Sequence, residues 1–178
     1  MTVNKPWFSV VISAYNRAGM IDRCVKSCLS QTFDSFEVIV VDDGSTDDTQ
    51  SVLQSLNDPR LRVYTHSANR GLPAARDTGA RAAQGQWIIT LDSDHGLLPD
   101  ALENLYARTS MVPEDVGIVG SRYQWDTGWI TPRLVPTDVI DYAGRIRWVE
   151  EEGGTDYLCC YRKQLYGDVV WQAGRRGP

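Results

Sequence analysis

Two histidines and four cysteines are all that 178 residues offer for soft metal chemistry, and they are not arranged for it. Cys24 and Cys28 lie one helical turn apart, Cys159 and Cys160 are adjacent, and His66 and His95 stand away from both pairs. No zinc-type spacing results, and buried thiols of a reducing compartment are the expectation. Glycine-rich phosphate loops are also missing. No Gly-x-Gly-x-x-Gly follows the first apolar run and no Gly-x-x-x-x-Gly-Lys occurs anywhere, which excludes the usual dinucleotide and nucleoside-triphosphate cradles. Apolar runs are strand-sized, far short of the roughly 20 residues of a membrane helix, and Met1–Pro6 has no secretory leader pattern. A net charge of −5 argues against a nucleic-acid surface. The expectation is a soluble, cytoplasmic chain with no nucleic-acid partner and no membrane span. Arg175-Arg176 reads as a solvated tail.

What is present is alternation. Trp7–Ser13 is a nearly continuous apolar run, as in a strand covered on both faces. Ile21, Cys24, Val25, Cys28 and Leu29 follow at helical spacing. Phe36–Val41 predicts a second buried strand, and Ser45-x-x-Asp48 resembles a capping box before a helix carrying Val52, Leu53 and Leu56. Leu61–Thr65 predicts a third strand. Pro73 suits the start of a helix through Ala83, with Gly85 at its exit. Gln86–Leu91 predicts a fourth strand, Pro99 opens a helix with Leu102, Leu105 and Tyr106 on one side, and Val116–Val119 reads as a fifth strand. Beyond about residue 120 the rhythm breaks. Tyr157–Tyr161 is assigned a strand and Arg162–Tyr166 a helical turn. The class is α/β, a mostly parallel central sheet flanked by helices.

In such a sheet, ligands bind beyond the carboxyl ends of the strands, where strand order reverses. With strand 1 between strands 2 and 4, the segment from Ser13 to Asn16, Asp42-Asp43 and Asp92-Ser93-Asp94 meet there. Four carboxylates in one crevice repel one another and invite a cation. An Asp-x-Asp at a strand end suits Mg²⁺ or Mn²⁺ that keeps positions open for phosphate oxygens. The alternative for the pair is that Asp92 caps the next segment and Asp94 faces solvent.

The strings SVVISAYNRAGMIDRCVKSCLSQTFDSFEVIVVDDGSTDDT, ANRGLPAARDTGARAAQGQWIITLDSD and LLPDALENL, in that order, closely resemble family 2 glycosyltransferases. The match runs from about Ser9 to Leu105, with a weaker echo to about Gly128. It implies a Rossmann-like GT-A fold. Residues 1–178 would be one domain, with a nucleotide-sugar-binding half (1–120) and a partial acceptor-side half (121–178). The resemblance also implies the site. Ser13 and Tyr15 line the nucleotide pocket, Asp43 accepts hydrogen bonds from the base from an exposed loop, and Asp42 supports that loop. Arg76 lies near the diphosphate, Asp92 and Ser93 contact the donor, and Asp92 and Asp94 hold the metal. Two positions depart from the family pattern. Asp77 stands where Asn is usual, and His95 where another acid often follows the Asp-x-Asp; His95 either bonds a sugar hydroxyl or is simply a loop residue.

The implied reaction is metal-dependent, inverting transfer from a nucleotide-diphospho-sugar, UDP-linked, to a hydroxyl of a saccharide or lipid-linked acceptor, as in polysaccharide biosynthesis. The alternative is a non-catalytic sugar-nucleotide-binding module. No residue is assigned as catalytic base. Asp126, Asp138, Asp141, Glu150-Glu151-Glu152, Asp156 and Asp168 are the late acids, with Glu150–Glu152 read as a solvated loop, and the expectation is a C-terminally truncated piece. A homodimer is left open.

Overall fold

The computed structural model of the protein describes residues 5–114, 117–121 and 158–165. The elements run β1 (Phe8–Ala14), α1 (Ile21–Leu29), β2 (Phe36–Asp42), α2 (Thr49–Ser55), β3 (Leu61–Thr65), α3 (Leu72–Ala82), β4 (Trp87–Asp92), α4 (Ala101–Thr109), β5 (Ile118–Ser121) and β6 (Leu158–Arg162), the last followed by a 3₁₀ turn at Lys163–Leu165. One sheet takes them in the order β3-β2-β1-β4-β6-β5. The first four strands are parallel, and β6 runs antiparallel between β4 and β5. The expectations for Glu150–Glu152, Asp126, Asp138, Asp141, Asp156, Asp168, Tyr157 and Arg175-Arg176 fall outside the described residues.

Continuous apolar runs become central strands because both faces are covered. All seven residues of β2 are buried, and six of the seven in β1. Alternation sends Phe8, Val10, Ile12 and Ala14 to one face. There they meet Ile21, Cys24, Val25 and Cys28 of α1 and Leu102 and Leu105 of α4. Val11, with Ile39, Val41 and Ile88, faces Ala75 and Ala80 of α3. The thiols of Cys24, Cys28 and Cys160 are buried and unbridged. The hydrogen bond with Cys28, and then burial, push the Cys24 thiol far above its ordinary range, so it stays protonated.

A carboxylate inside β2 needs explaining. Glu37 is 6% exposed, yet it accepts from Ser9 Oγ (2.7 Å) and the Gln84 N–H (2.6 Å) and pairs with Arg62 at 2.8 Å. Its charge is therefore matched within hydrogen-bond reach, as a buried acid requires.

The predicted capping box does not form. The α2 helix starts at Thr49 after Asp48, with no side-chain cap. Ser45 Oγ instead accepts the Asn16 N–H at 2.9 Å. Asp47 takes the Thr49 N–H at 3.0 Å and the Ala18 N–H at 3.1 Å. Hydrogen bonds, first that of the Thr49 hydroxyl, hold the Asp47 carboxyl below the usual carboxylate range. The polar side chains of this loop tie it to the chain after β1 rather than to the helix it precedes.

Helix α3 approaches the sheet through Ala75, Gly79 and Ala80, all buried. A Cβ placed on Gly79 would lie 2.3 Å from Val11 Cγ1 and 3.3 Å from Val41 Cγ2. Both valines are fixed inside central strands. Gly79→Ala therefore destabilises by about 2 kcal/mol through overpacking, although the helix itself gains about 1 kcal/mol from alanine. Urea unfolding checks this; equal or greater stability would show that α3 can lift off the sheet without cost.

Candidate functional site

Parallel pairing sets the site. Ser13 is level with Val41 on one side and Asp92 on the other, and Ala14 is level with Asp42. The ends of β1, β2 and β4 thus coincide, as the expected strand order requires. Ser13 Oγ is buried and has no hydrogen-bond partner among the described residues. By alternation it projects to the α3 side, the same side as Asp92. Arg76, reaching from α3, donates to Asp92 Oδ1 at 2.7 Å, with side chains 20% and 48% exposed. Tyr15 stands outward, 41% exposed, and Ser93 is buried.

The Asp92–Asp94 segment is held from below by α1. Arg23 Nη2 donates to the Asp94 carbonyl (3.0 Å), the Cys24 thiol to the Asp92 carbonyl (3.6 Å), and the Leu97 N–H to Ser27 Oγ (3.0 Å). Gln31 accepts the Leu102 N–H and donates to the Leu98 carbonyl. The backbone turns at once, since the His95 N–H bonds the Asp92 carbonyl at 3.0 Å. These ties fix the main chain and leave the Asp94 side chain about half exposed, with His95 Nδ1 3.8 Å away.

The expected crevice of four carboxylates is not what forms. Among the described residues, no group of three or more His, Cys, Asp or Glu side chains is gathered to hold a metal. The reason is strand geometry plus local neutralisation. Asp42 shares the alternation of Val38 and Val40 and lies on the α1 side, where Oδ1 accepts the Ser45 N–H at 3.0 Å. Asp43 goes the other way. Asp92 meets Arg76 through Oδ1 and keeps about half of its side chain exposed. What remains for a cation is a pair, Asp92 and Asp94, both about half exposed. Two carboxylates fit a hard cation that takes its other ligands from phosphates and water.

Asp43 also differs from expectation: it is 3% exposed, not on an open loop. Its Oδ1 lies 2.6 Å from His66 Nδ1 and accepts the Arg70 N–H at 3.0 Å; its Oδ2 accepts the Gly71 N–H at 2.8 Å. His66 was not singled out by pattern, and its ring contact with Asp43 spans 23 residues. The available signal was a lone histidine immediately after a strand and before the Asn69-Arg70-Gly71 turn. Asp77 pairs with Arg81 on the helix surface at 2.8 Å.

Comparisons with known proteins fit this geometry. The family model described as glycosyl transferase family 2 matches residues 9–165, and the chain belongs to that family. The chain is 38% identical over 113 residues to the succinoglycan biosynthesis protein ExoO of Rhizobium meliloti, covering 64% of this chain and 32% of that protein. It is 46% identical over 100 residues to the chondroitin synthase of Escherichia coli, covering 55% of this chain and 14% of the synthase. Among solved structures, residues 1–349 of S. aureus TarS in complex with UDP-GlcNAc align at TM-score 0.75 and 25% identity, over 90% of this chain and 46% of that 1–349 chain. The mannosyltransferase PcManGT of Pyrobaculum calidifontis, in complex with GDP-Man and Mn²⁺, aligns at TM-score 0.66 and 22% identity, over 94% of this chain and 47% of that one. The fold is thus that of the GT-A glycosyltransferases, and the chain spans less than half the length of each of these proteins. No helix among the described residues is long and apolar enough to cross a membrane.

Burial changes what an Asp43 substitution does. Asp43→Ala strands a histidine ring and two backbone N–H groups inside the protein. Removing one partner of a buried pair costs about 3 kcal/mol or more, so chemical denaturation of the variant shows a loss of that order. Unchanged stability would mean that water satisfies all three groups.

Proposed function

We propose that the chain binds a nucleotide-diphospho-sugar, UDP-linked, at the joint carboxyl ends of β1, β2 and β4, as the donor part of an inverting family 2 glycosyltransferase. The observation that carries it is the buried Ser13 hydroxyl, with no hydrogen-bond partner among the described residues, and the Arg76 guanidinium on Asp92, both on the α3 side, with the half-exposed Asp94 following Asp92 in the chain. That set provides a hydrogen-bonding hydroxyl, a cation and two carboxylates at the switch point of the sheet, without a glycine-rich loop.

In this reading Arg76 neutralises part of the diphosphate, and Asp92 and Asp94 hold Mg²⁺ or Mn²⁺. When bound, the metal supplies Lewis-acid stabilisation of charge on the departing nucleoside diphosphate. Tyr15 offers an exposed ring face for the base. Asp43 has used three acceptor positions and keeps one of the roughly four that a carboxylate has, enough for one N–H of a uracil at the pocket floor. Ser13 Oγ and Ser93 complete the contacts to the nucleotide. TarS, with the same fold, has been solved with UDP-GlcNAc, which supports the uridine choice. Residues 1–120 act as the donor half and residues 121–178 begin the acceptor side, where a general base would deprotonate the acceptor hydroxyl. The acceptor is a saccharide or lipid-linked saccharide, in keeping with the polysaccharide-forming relatives. Glu150, Glu151, Glu152 and Asp156 are the acids to substitute first in a search for the base.

Binding should depend on metal. A ligand present at about a hundred times its Kd stabilises the native state by about 2.7 kcal/mol, which is several degrees in Tm for a chain of this size. UDP should raise Tm by that amount with Mn²⁺ and by much less with EDTA. Equal shifts in the two buffers would remove the metal, and no shift in either would remove the nucleotide.

A further inference from the structure

We infer that His66 is the residue that positions the nucleotide pocket, acting through Asp43 on the turn that launches α3. The positioning of the nucleotide rests on the donor-binding reading above; the hold on the turn does not.

The ring is held from two sides. Nδ1 lies 2.6 Å from Asp43 Oδ1, which also accepts the Arg70 N–H, and Nε2 lies 2.9 Å from the Thr78 hydroxyl of α3. The side chains of His66 and Asp43 are 8% and 4% exposed, so water cannot readily replace either contact.

The mechanical consequence runs onward from Asp43. Its Oδ2 accepts the N–H of Gly71, whose φ of +88° is a backbone conformation that glycine adopts without strain. The Gly71 carbonyl in turn accepts the N–H groups of Ala74 and Ala75 and so opens α3. Arg76 comes next in the helix and reaches Asp92. The same ring also grips α3 directly at Thr78. His66 thus joins the end of β3 to α3 at two places, and the position of Arg76 over the Asp92 carboxylate depends on both. Neither the Asp43 carboxylate nor the first turns of α3 can shift toward the nucleotide site without breaking a bond to this ring or to the turn it holds.

The test uses amide hydrogen exchange read by NMR of the whole chain, and calorimetry with UDP and Mn²⁺. His66→Ala should speed hydrogen exchange at the Arg70 and Gly71 amides and weaken UDP binding at least about tenfold, since a hydrogen bond to a charged group is worth about 1.5–3 kcal/mol. A folded His66→Ala variant with wild-type exchange at both amides and wild-type affinity overturns the positioning role. His66→Asn keeps a polar group near Nδ1 but is too short to reach Asp43 and Thr78 together, and should also weaken UDP binding; this variant serves if the alanine variant does not fold, and wild-type exchange and affinity in it overturn the positioning role. Should the wild-type chain bind no nucleoside diphosphate, the donor-binding reading fails, and exchange at Arg70 and Gly71 alone decides: faster supports the role of His66, unchanged overturns it.

Discussion

The whole arrangement depends on β1 being paired in parallel on both sides, with Ser13 level with Val41 of β2 and Asp92 of β4. Parallel pairing brings like ends together, so three segments far apart in sequence finish at one edge of the sheet. It also demands cover on both faces, which explains why these strands are unbroken apolar runs. A slip of one residue in β4 would turn Asp92 away from Arg76 and Ser13 to the opposite face. The cores on the two faces oppose such a slip, since Ile88 would trade places with Trp87 and Ile89.

Given that frame, the acidic residues are managed one by one rather than pooled. Asp42 is bonded to its own turn, Asp43 to His66 and the Arg70–Gly71 backbone, and Asp92 to Arg76. Each partner lowers the repulsion that four clustered carboxylates would produce. Asp94 differs: its main chain is gripped by Arg23 while its side chain stays about half exposed. A rigid backbone with an accessible carboxylate suits a group that meets its ligand only when the donor arrives.

Fold and strand ends were legible because they are local. β3 has the bounds expected, Leu61–Thr65, and each strand expected before residue 120 appears within two residues of its predicted start. The short strand Leu158–Arg162 also matches, although nothing in the sequence told that it would run antiparallel beside β4. What failed was tertiary. Ser45-x-x-Asp48 has a capping pattern, yet Asn16 across the loop competes for the Ser45 hydroxyl and wins. Asp43 read as exposed because its neighbours Asp42, Gly44 and Ser45 are polar; the burial comes from His66 and the 70–71 turn, which no periodicity reveals. Gly79 in a helical stretch went unremarked in the pattern, and only the distance to Val11 shows that it permits close helix–sheet approach.

Occupancy of the β1–β2–β4 edge by a nucleotide is the central claim, and a residue-resolved titration addresses it most directly. Amide spectra recorded with rising UDP, and then with Mn²⁺ as a paramagnetic probe, locate base, phosphate and metal at once. Perturbation should fall on Ser13, Tyr15, Asp43, the 66–71 segment and Arg76, with Mn²⁺ broadening centred on Asp92–His95. Perturbation confined to the groove at the opposite end of the strands, lined by Pro6, Phe36, Arg60, Arg62 and Gln84, would contradict it.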